Sequence, residues 1–199
     1  GNLKDNFEKQ DFEKIDFKKF DELEQFILHR LYTMSEHVSD NLNNYNFHKL
    51  YKELLSFCTL DLSSFYFDIR KDVLYCEDLT SKKRESCVDL LNIVLKCLIR
   101  WYAPVLSFTT EEINELAQKG KTTSIHEENF PIIPKEWNNE SLSSKWEKLL
   151  AVRQKVNVAI EEKRSNKIIG SSLEAEVEIT LPKHQFDILK EVDTKELFI

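Results

Sequence analysis

Apolar residues recur every three or four positions over much of the chain, the spacing that places them on one face of a helix. A first helix is predicted from about Phe20 to Tyr45. A second begins after Asn46, a good N-cap residue, and keeps one apolar face as far as Val73. Because the turn between them is short, the two helices are expected to lie antiparallel.

A third helix is predicted to lie at the centre of the fold. The segment from Cys87 to Leu106 is apolar nearly all round, which indicates burial on most sides. We expect this helix to begin near Ser81 and to end close to Pro104, since proline has no backbone N–H to donate.

Two capping boxes predict further helix starts, because a Ser or Thr and a Glu three residues later can satisfy the first backbone N–H groups of a helix. Thr109 with Glu112 is expected to open a short helix that stops at Gly120. A fourth long helix is expected to open with Ser144 and Glu147 and to reach about Ser165.

The stretch between these two helices, residues 120–143, has little periodicity and reads as a surface connection laid across the bundle. We expect Phe130 and Trp137 to hold it in place.

After Gly170 the apolar spacing changes to strict alternation, the pattern of a half-buried strand. Its apolar positions are Leu173, Ala175, Val177, Ile179 and Leu181. We expect Pro182 to close the strand, a short helix to follow over about 183–192, and another strand to begin at 197–199. These pieces predict a small α/β element.

The predicted fold class is therefore mainly α, an antiparallel helical bundle with a small C-terminal α/β element. We divide it into a truncated lead-in at 1–19, a helical bundle at 20–167 and the start of an α/β subdomain at 168–199. Both ends have the character of a fragment.

Glycine is scarce, which limits the chemistry this chain can perform. The 199 residues hold three glycines, Gly1, Gly120 and Gly170, so no glycine-rich loop can bring backbone N–H groups close to a phosphate. We expect no catalytic residue and no cofactor site in these residues.

The cysteines and histidines do not have the spacing of metal ligands. There is no C-x-x-C pair, and the five histidines lie at no ligand spacing from the four cysteines. We therefore expect no metal site, and we interpret Cys58, Cys87 and Cys97 as small buried hydrophobic residues.

Charge is distributed unevenly along the chain. Its net charge is −7, yet residues 145–170 hold seven Lys or Arg against three Glu. A basic stripe can be a solvated helix face or a surface for nucleic acid or an acidic partner. The candidate RNA-binding residues are Arg153, Lys155, Lys163, Arg164 and Lys167, with a second group of Lys82, Lys83 and Arg84.

Aromatic side chains can stack on unpaired bases, but most of the rings here lie on apolar stripes. We expect Trp101, Trp146, Phe65 and Tyr66 to belong to the core.

No apolar run approaches the roughly 18 residues of a membrane span, and the first residues lack a signal-peptide pattern. We expect a soluble cytoplasmic protein.

Several literal stretches resemble the region that follows the catalytic domain in isoleucyl-tRNA synthetases, a family of class I aminoacyl-tRNA synthetases. They are F-C-T-L-D-L-S-S-F-Y at 57–66, R-W-Y-A-P-V-L-S-F-T at 100–109, S-I-H at 124–126 and K-I-I-G-S-S-L-E-A at 167–175. The A-P-x-L-x-F-T-x-E-E element is shared with the valine and leucine enzymes. The remaining stretches favour isoleucine.

The resemblance implies an anticodon-binding helical bundle that holds the anticodon stem and loop of an isoleucine tRNA. It implies two partners, this tRNA and the catalytic domain of the same parent chain, and we expect a monomer. The parent would use ATP and Mg²⁺, but its H-I-G-H and K-M-S-K-S motifs and its editing domain are absent from these 199 residues. This fragment alone is thus expected to have no ligase activity.

Two alternatives remain open at this point. One is the anticodon-binding domain of the related valine enzyme. The other is a non-catalytic bundle that binds a protein, in which the basic stripe meets an acidic partner.

Overall fold

The computed structural model describes residues 12–118 and 123–198, apart from the side chains of Glu13 and Leu173. The helices, in chain order, are α1 Glu22–Asn43, α2 Phe47–Ser56, α3 Asp68–Cys76, α4 Lys82–Tyr102, α5 Ser107–Ala117, α6 Glu140–Ser165, α7 Lys183–Leu189 and α8 Thr194–Phe198. Short 3₁₀ turns lie at Phe12–Lys14, Phe17–Lys19, Ile125–Glu127, Lys135–Trp137 and Ser172–Glu174. The chain divides between Asn139 and Glu140 into two compact units.

The first unit is built on antiparallel helices, as predicted. Asn41 near the end of α1 contacts Glu53 on α2, whereas Glu24 near its start contacts Arg70 on α3. The end of α1 thus contacts α2, and the start of α1 contacts α3, which lies further along the chain. The helix that runs through α2 and α3 is therefore antiparallel to α1. α4 packs against both α1 and α3 and carries the fully buried Trp101.

The predicted second helix is continuous, but its middle is not α-helical. The π-helical segment Phe57–Phe67 joins α2 directly to α3, and Ser64 Oγ donates to the carbonyl of Thr59, five residues back, at 2.8 Å. Phe57 is buried, whereas Cys58, predicted to be buried, is half-exposed.

α4 follows the prediction closely. It begins at Lys82, and Ser81 Oγ accepts from the backbone N–H of Arg84 at 3.5 Å. It ends at Tyr102, two residues before Pro104. Cys87 and Cys97 are buried in it, as expected.

The prediction for the start of α5 was wrong. The helix begins at Ser107, so Thr109 lies inside it and forms no capping box. Thr110 Oγ1 donates instead to the carbonyl of Leu106 at 3.0 Å. The helix thus begins soon after Pro104, two residues before Thr109, the residue predicted to cap it. The predicted stop at Gly120 lies outside the described residues.

The connection after α5 is held by polar contacts and by one buried ring. Asn114 Nδ2 donates to the carbonyl of Thr123 at 3.0 Å, and Glu111 accepts from the N–H of Ile125 at 2.9 Å. Trp137 is fully buried, as predicted. Phe130, expected to help, is 46% exposed.

The second unit is a long helix with two short ones against it. α6 packs against α7 and α8. It begins at Glu140, so the predicted Ser144 capping box was wrong. Ser144 lies within the helix, and neighbouring Ser143 donates to Glu147, one turn later, at 3.3 Å. The helix ends at Ser165 as predicted.

The predicted C-terminal α/β element was wrong for the described residues. Residues 175–182 form neither helix nor strand, and no strand occurs anywhere in 12–118 or 123–198. A strand needs a neighbouring strand to pair its N–H and C=O groups. Leu197 and Phe198, expected to begin a strand, belong to α8. The predicted helix at 183–192 is α7, which ends at Leu189.

Candidate nucleic-acid interface

The end of α6 presents a group of exposed basic side chains. Lys155, Lys163, Arg164 and Lys167 are all exposed. Lys155 and Lys163 lie two helical steps of four residues apart and therefore share one face. The helix has 26 residues, about 39 Å at 1.5 Å per residue. Lys155 lies ten residues before its end, Lys163 and Arg164 lie in its last turn, and Lys167 lies two residues after it.

Acidic side chains interrupt the group. Glu161 and Glu162 are exposed among the basic residues, and Arg164 forms an ion pair with Glu161. An exposed pair of this kind contributes little to stability, and a phosphate can displace the carboxylate from the guanidinium. Within residues 12–118 and 123–198, Lys155, Lys163 and Lys167 form no ion pair with a carboxylate.

The turn after α6 fixes the position of Lys167. The N–H of Lys167 donates to the carbonyl of Arg164 at 2.9 Å, and that of Ile168 to the carbonyl of Lys163 at 3.0 Å. These two bonds are a Schellman motif, in which the residue at Lys167 adopts left-handed backbone angles, here with φ of 55°. Glycine usually occupies this position. Lys167 therefore carries a backbone cost while its ammonium group stays exposed.

Two basic residues of the stripe have structural roles. Arg153 was predicted to contact RNA, but it is buried, 6% exposed, and its Nε donates to the carbonyl of Leu197 on α8 at 2.8 Å. Burial and this bond argue against a contact of Arg153 with RNA, because the helix turns this side chain toward α8. Lys145 likewise forms an ion pair with Glu191 at 2.9 Å.

The second predicted group, Lys82, Lys83 and Arg84, lies at the first turn of α4. Arg84 is half-buried and its Nε donates to the carbonyl of Leu74 at 3.3 Å. Acidic residues surround the group: Glu77 accepts from Ser81, and hydrogen bonds from Thr80 lower the pKa of Asp78, which keeps that carboxylate charged. A phosphate would meet these negative charges, so the α6 group is the better candidate.

Aromatic residues fall into two classes. Trp101, Trp146, Phe65 and Tyr66 are buried, as predicted. Exposed rings were missed by the sequence reasoning, and the most exposed include Tyr45, Tyr75 and Phe108, at 80%, 80% and 93%. The run Asn43-Asn44-Tyr45-Asn46 was the available signal, because asparagine favours turns and left-handed backbone angles.

Other kinds of site find no support in the part of the chain that the structure describes. Residues 12–118 and 123–198 contain no group of three His, Cys, Asp or Glu that could hold a metal ion. None of their helices is long and apolar enough to cross a membrane.

Comparison with known proteins defines the class first. The model of the anticodon-binding domain of tRNA ligases matches residues 24–179, and the chain belongs to this family.

Its relatives then indicate a particular branch. The chain is 50% identical over all 199 residues to isoleucine–tRNA ligase of Pelagibacter ubique (strain HTCC1062), of which it covers 22%. It is 45% identical over 154 residues to isoleucine–tRNA ligase of Agrobacterium fabrum (strain C58 / ATCC 33970), covering 77% of this chain and 16% of that protein. The Mesorhizobium japonicum enzyme of the same name is 40% identical over 179 residues, 89% of this chain and 18% of its own. The chain thus spans about a fifth of the length of the relatives it matches.

Proposed function

We propose that this chain is the tRNA-binding part of an isoleucine–tRNA ligase and that it holds the anticodon stem and loop of an isoleucine tRNA. The family match and the names of the relatives support the role. The observation that carries it is the exposed basic end of α6, with Lys155 and Lys163 on the helix and Lys167 in the turn that follows it. Lysine and arginine contacts to phosphate supply most of the affinity in complexes of this kind.

The chemistry of the parent enzyme, which joins isoleucine to its tRNA at the expense of ATP, belongs in our proposal to other segments. The residues described here do not fit an ATP–Mg²⁺ site, because they offer no glycine-rich loop and no metal-ligating cluster. We derive no catalytic step from them. The catalytic domain of the parent chain is then a partner of this one, the protein is a monomer, and it acts in the cytoplasm, where tRNA is charged.

The experiment that tests the role measures binding of an isoleucine tRNA transcript to the 199-residue chain over a series of salt concentrations. We expect log K to fall by about 0.7 to 0.9 for each phosphate neutralised, per tenfold rise in salt. Lys155→Glu with Lys163→Glu should weaken binding and lower this slope. Lys135→Glu with Lys19→Glu, at two exposed lysines of the first unit, is the control with the same change in net charge.

Two outcomes would contradict the proposal. If an unrelated tRNA binds as tightly as isoleucine tRNA, the surface is a general polyanion site. If the Lys155 and Lys163 variants bind tRNA like the Lys135 and Lys19 control, the end of α6 does not contact RNA.

A further inference from the structure

A second basic surface lies in the first unit, at the turn from α1 to α2, and it combines lysines with exposed aromatic rings. Tyr45, Phe47 and Tyr51 are 80%, 43% and 38% exposed. The rings of Tyr45 and Phe47 meet edge to face, with centroids 6.4 Å apart. We call these residues, with Lys49 and Lys52, the α2 ring surface.

Local structure explains why these rings face outward. The N–H of Tyr45 donates to the carbonyl of Leu42 at 3.1 Å, and that of Asn46 to the carbonyl of Asn41 at 2.7 Å. This is a second Schellman motif, and Tyr45 holds its left-handed position with φ of 56°. The ring thus lies outside both helices, at the tip of the turn.

The same helix that exposes two of the rings buries the face next to them. Phe47 and Tyr51 are four residues apart and therefore neighbours on one face of α2. Leu50 and Leu54 lie next to them around the helix and are fully buried. Phe47 and Tyr51 therefore stand at the edge of the buried face of α2, where part of each ring stays exposed. Tyr51 has one further contact, an edge-to-face packing on Tyr102 of α4 at 6.3 Å.

The exposed charges on the first turns of α2 are basic. Residues 47–52 contain Lys49 and Lys52, both exposed, and no Asp or Glu. The next residue, Glu53, is half-buried and accepts from Asn41 Nδ2 at 2.7 Å, with Lys49 Nζ 3.8 Å from its other oxygen. The Glu53 carboxylate faces α1. The charge on the outer face of the first turns of α2 therefore comes from the lysines.

Rings that alternate with lysines match the chemistry of single-stranded RNA, in which unpaired bases stack on aromatic faces while lysines meet the phosphates. Lys49 is paired with Glu53, so a purely apolar partner would leave Lys52 without a counter-charge, whereas a phosphate would supply one. We propose that the α2 ring surface stacks unpaired bases of the bound RNA, with Tyr45 and Tyr51 as the stacking rings. This inference rests on the proposed function and adds to it a contact separate from the basic end of α6.

Tyr45→Gly is the sharpest test, because glycine suits the left-handed backbone while it removes the ring. We expect this variant to melt at the same temperature as the unmodified chain or higher, and to bind isoleucine tRNA about 5- to 150-fold more weakly, the range for loss of one stacked base. Tyr51→Leu should show a loss of similar size. Tyr45→Phe should bind normally, since the ring remains. Tyr75→Ala removes an equally exposed ring on α3 and is the matched control.

Salt dependence separates the rings from the lysines. Tyr45→Gly should lower affinity at every salt concentration without changing the slope, whereas Lys52→Gln should reduce the slope by about 0.7.

The outcomes also separate this inference from the proposed function. If Tyr45→Gly and Tyr51→Leu bind tRNA within twofold of the unmodified chain, while Lys155→Glu with Lys163→Glu does not, the stacking role is overturned and the proposed function stands. If the unmodified chain binds no tRNA, both are overturned. If Tyr45 in a longer form of the protein is protected from hydroxyl-radical labelling without RNA, the surface is a protein contact and the stacking role is overturned.

Discussion

Glu24 on α1 and Arg70 on α3 form a buried ion pair with two parallel hydrogen bonds. Arg70 Nε donates to Glu24 Oε1 at 2.7 Å and Nη2 to Oε2 at 2.9 Å, with the two residues 2% and 1% exposed. The hydroxyl of Tyr66 donates to Oε1 at 3.0 Å. The carboxylate thus joins α1 to the π-helical segment and to α3, at the centre of the first unit.

Removal of Arg70 should destabilise the protein strongly. Arg70→Met leaves a buried carboxylate with its charge uncompensated, and we expect the free energy of unfolding to fall by about 3–5 kcal/mol. Replacing both residues, Glu24→Leu with Arg70→Met, should recover much of the loss, because two apolar side chains need no counter-charge. Urea denaturation measures both effects.

The ion pair between Arg30 and Asp61 is the matched control, since it has the same chemistry at a more exposed place. Its Nε–Oδ1 distance is 2.9 Å, but the side chains are 32% and 16% exposed. We expect Arg30→Met to cost only about 1 kcal/mol or less, because water compensates the remaining charge. Equal costs for the Arg30 and Arg70 variants would show that burial does not set the difference.

The helical bundle could be predicted from the sequence because it depends on where apolar residues repeat. The buried ion pair could not. A Glu and an Arg 46 positions apart on two helices look like ordinary surface residues, since charged side chains are almost never fully buried unless paired. The pairing follows only from the three-dimensional packing of α1 against α3.

The π-helical segment could not be predicted from the sequence, for a related reason. The buried residues Phe57, Leu62 and Phe65 repeat every three to five positions, so their spacing gives no clear sign of the wider turn at Phe57–Phe67. The local sequence does not show that one segment of a helix has wider turns than the rest.

The basic stripe stays a prediction as an RNA contact, and charge alone does not show which of its side chains are exposed. Charge counts cannot show that Arg153 turns toward Leu197 while Lys163 stays exposed. The predicted strand at 173–181 has the right alternation, but periodicity does not show which strand would pair with it.

Lys167→Gly should separate stability from RNA binding at the end of α6. Lys167 has left-handed backbone angles, with φ of 55°, which glycine adopts without strain. We expect the free energy of unfolding to rise by about 1 kcal/mol. Loss of the ammonium group should weaken tRNA binding and reduce the salt slope by about one phosphate contact.

Asn166→Gly is the control for this change, because it places glycine one position earlier without removing a charge. We expect it to leave the salt slope unchanged. If Lys167→Gly is less stable than the unmodified chain, the Schellman turn does not have the strain inferred here.

The cysteines should react with a thiol reagent in the order of their exposure. Cys76 is exposed, so we expect it to react first at pH 8. Cys58 is half-buried, and burial raises the pKa of its thiol, which lowers the fraction of reactive thiolate. Cys87 and Cys97 are fully buried and should react only when urea unfolds the protein. Mass spectrometry of the labelled peptides gives the order, and early labelling of Cys97 would contradict the packing of α4.

The buried thiols of α4 should make a contribution to stability that decreases as the pH rises above about 8.5. Burial raises the pKa of Cys87 to about 11 and raises that of Cys97 well above its ordinary value. A thiol in the unfolded chain has a pKa near 8.5. Between these values the unfolded chain loses a proton that the folded chain keeps, so the free energy of unfolding falls with pH.

Lys96, also on α4, acts in the opposite direction over the same range. Burial, with a smaller contribution from the charge of Arg100, lowers its pKa to about 8, so the folded chain loses this proton at lower pH than the unfolded chain does. Its deprotonation therefore favours the folded state as the pH rises toward about 10.4. The total pH dependence mixes both effects, and only a comparison of variants separates them.

Cys97→Ala isolates the contribution of one thiol because it leaves Lys96 and Cys87 in place. The variant should be less stable than the unmodified chain at pH 7, since it opens a small cavity, and the difference should shrink or reverse by pH 10.5. A thiol that stays protonated two pH units beyond its unfolded pKa accounts for at most about 3 kcal/mol of this change. Urea midpoints at both pH values, measured with a reductant present, give the comparison. If the free energy of unfolding of the two proteins changes with pH in parallel, Cys97 has the same pKa in the folded and unfolded chains. That result would contradict the complete burial of Cys97 in α4.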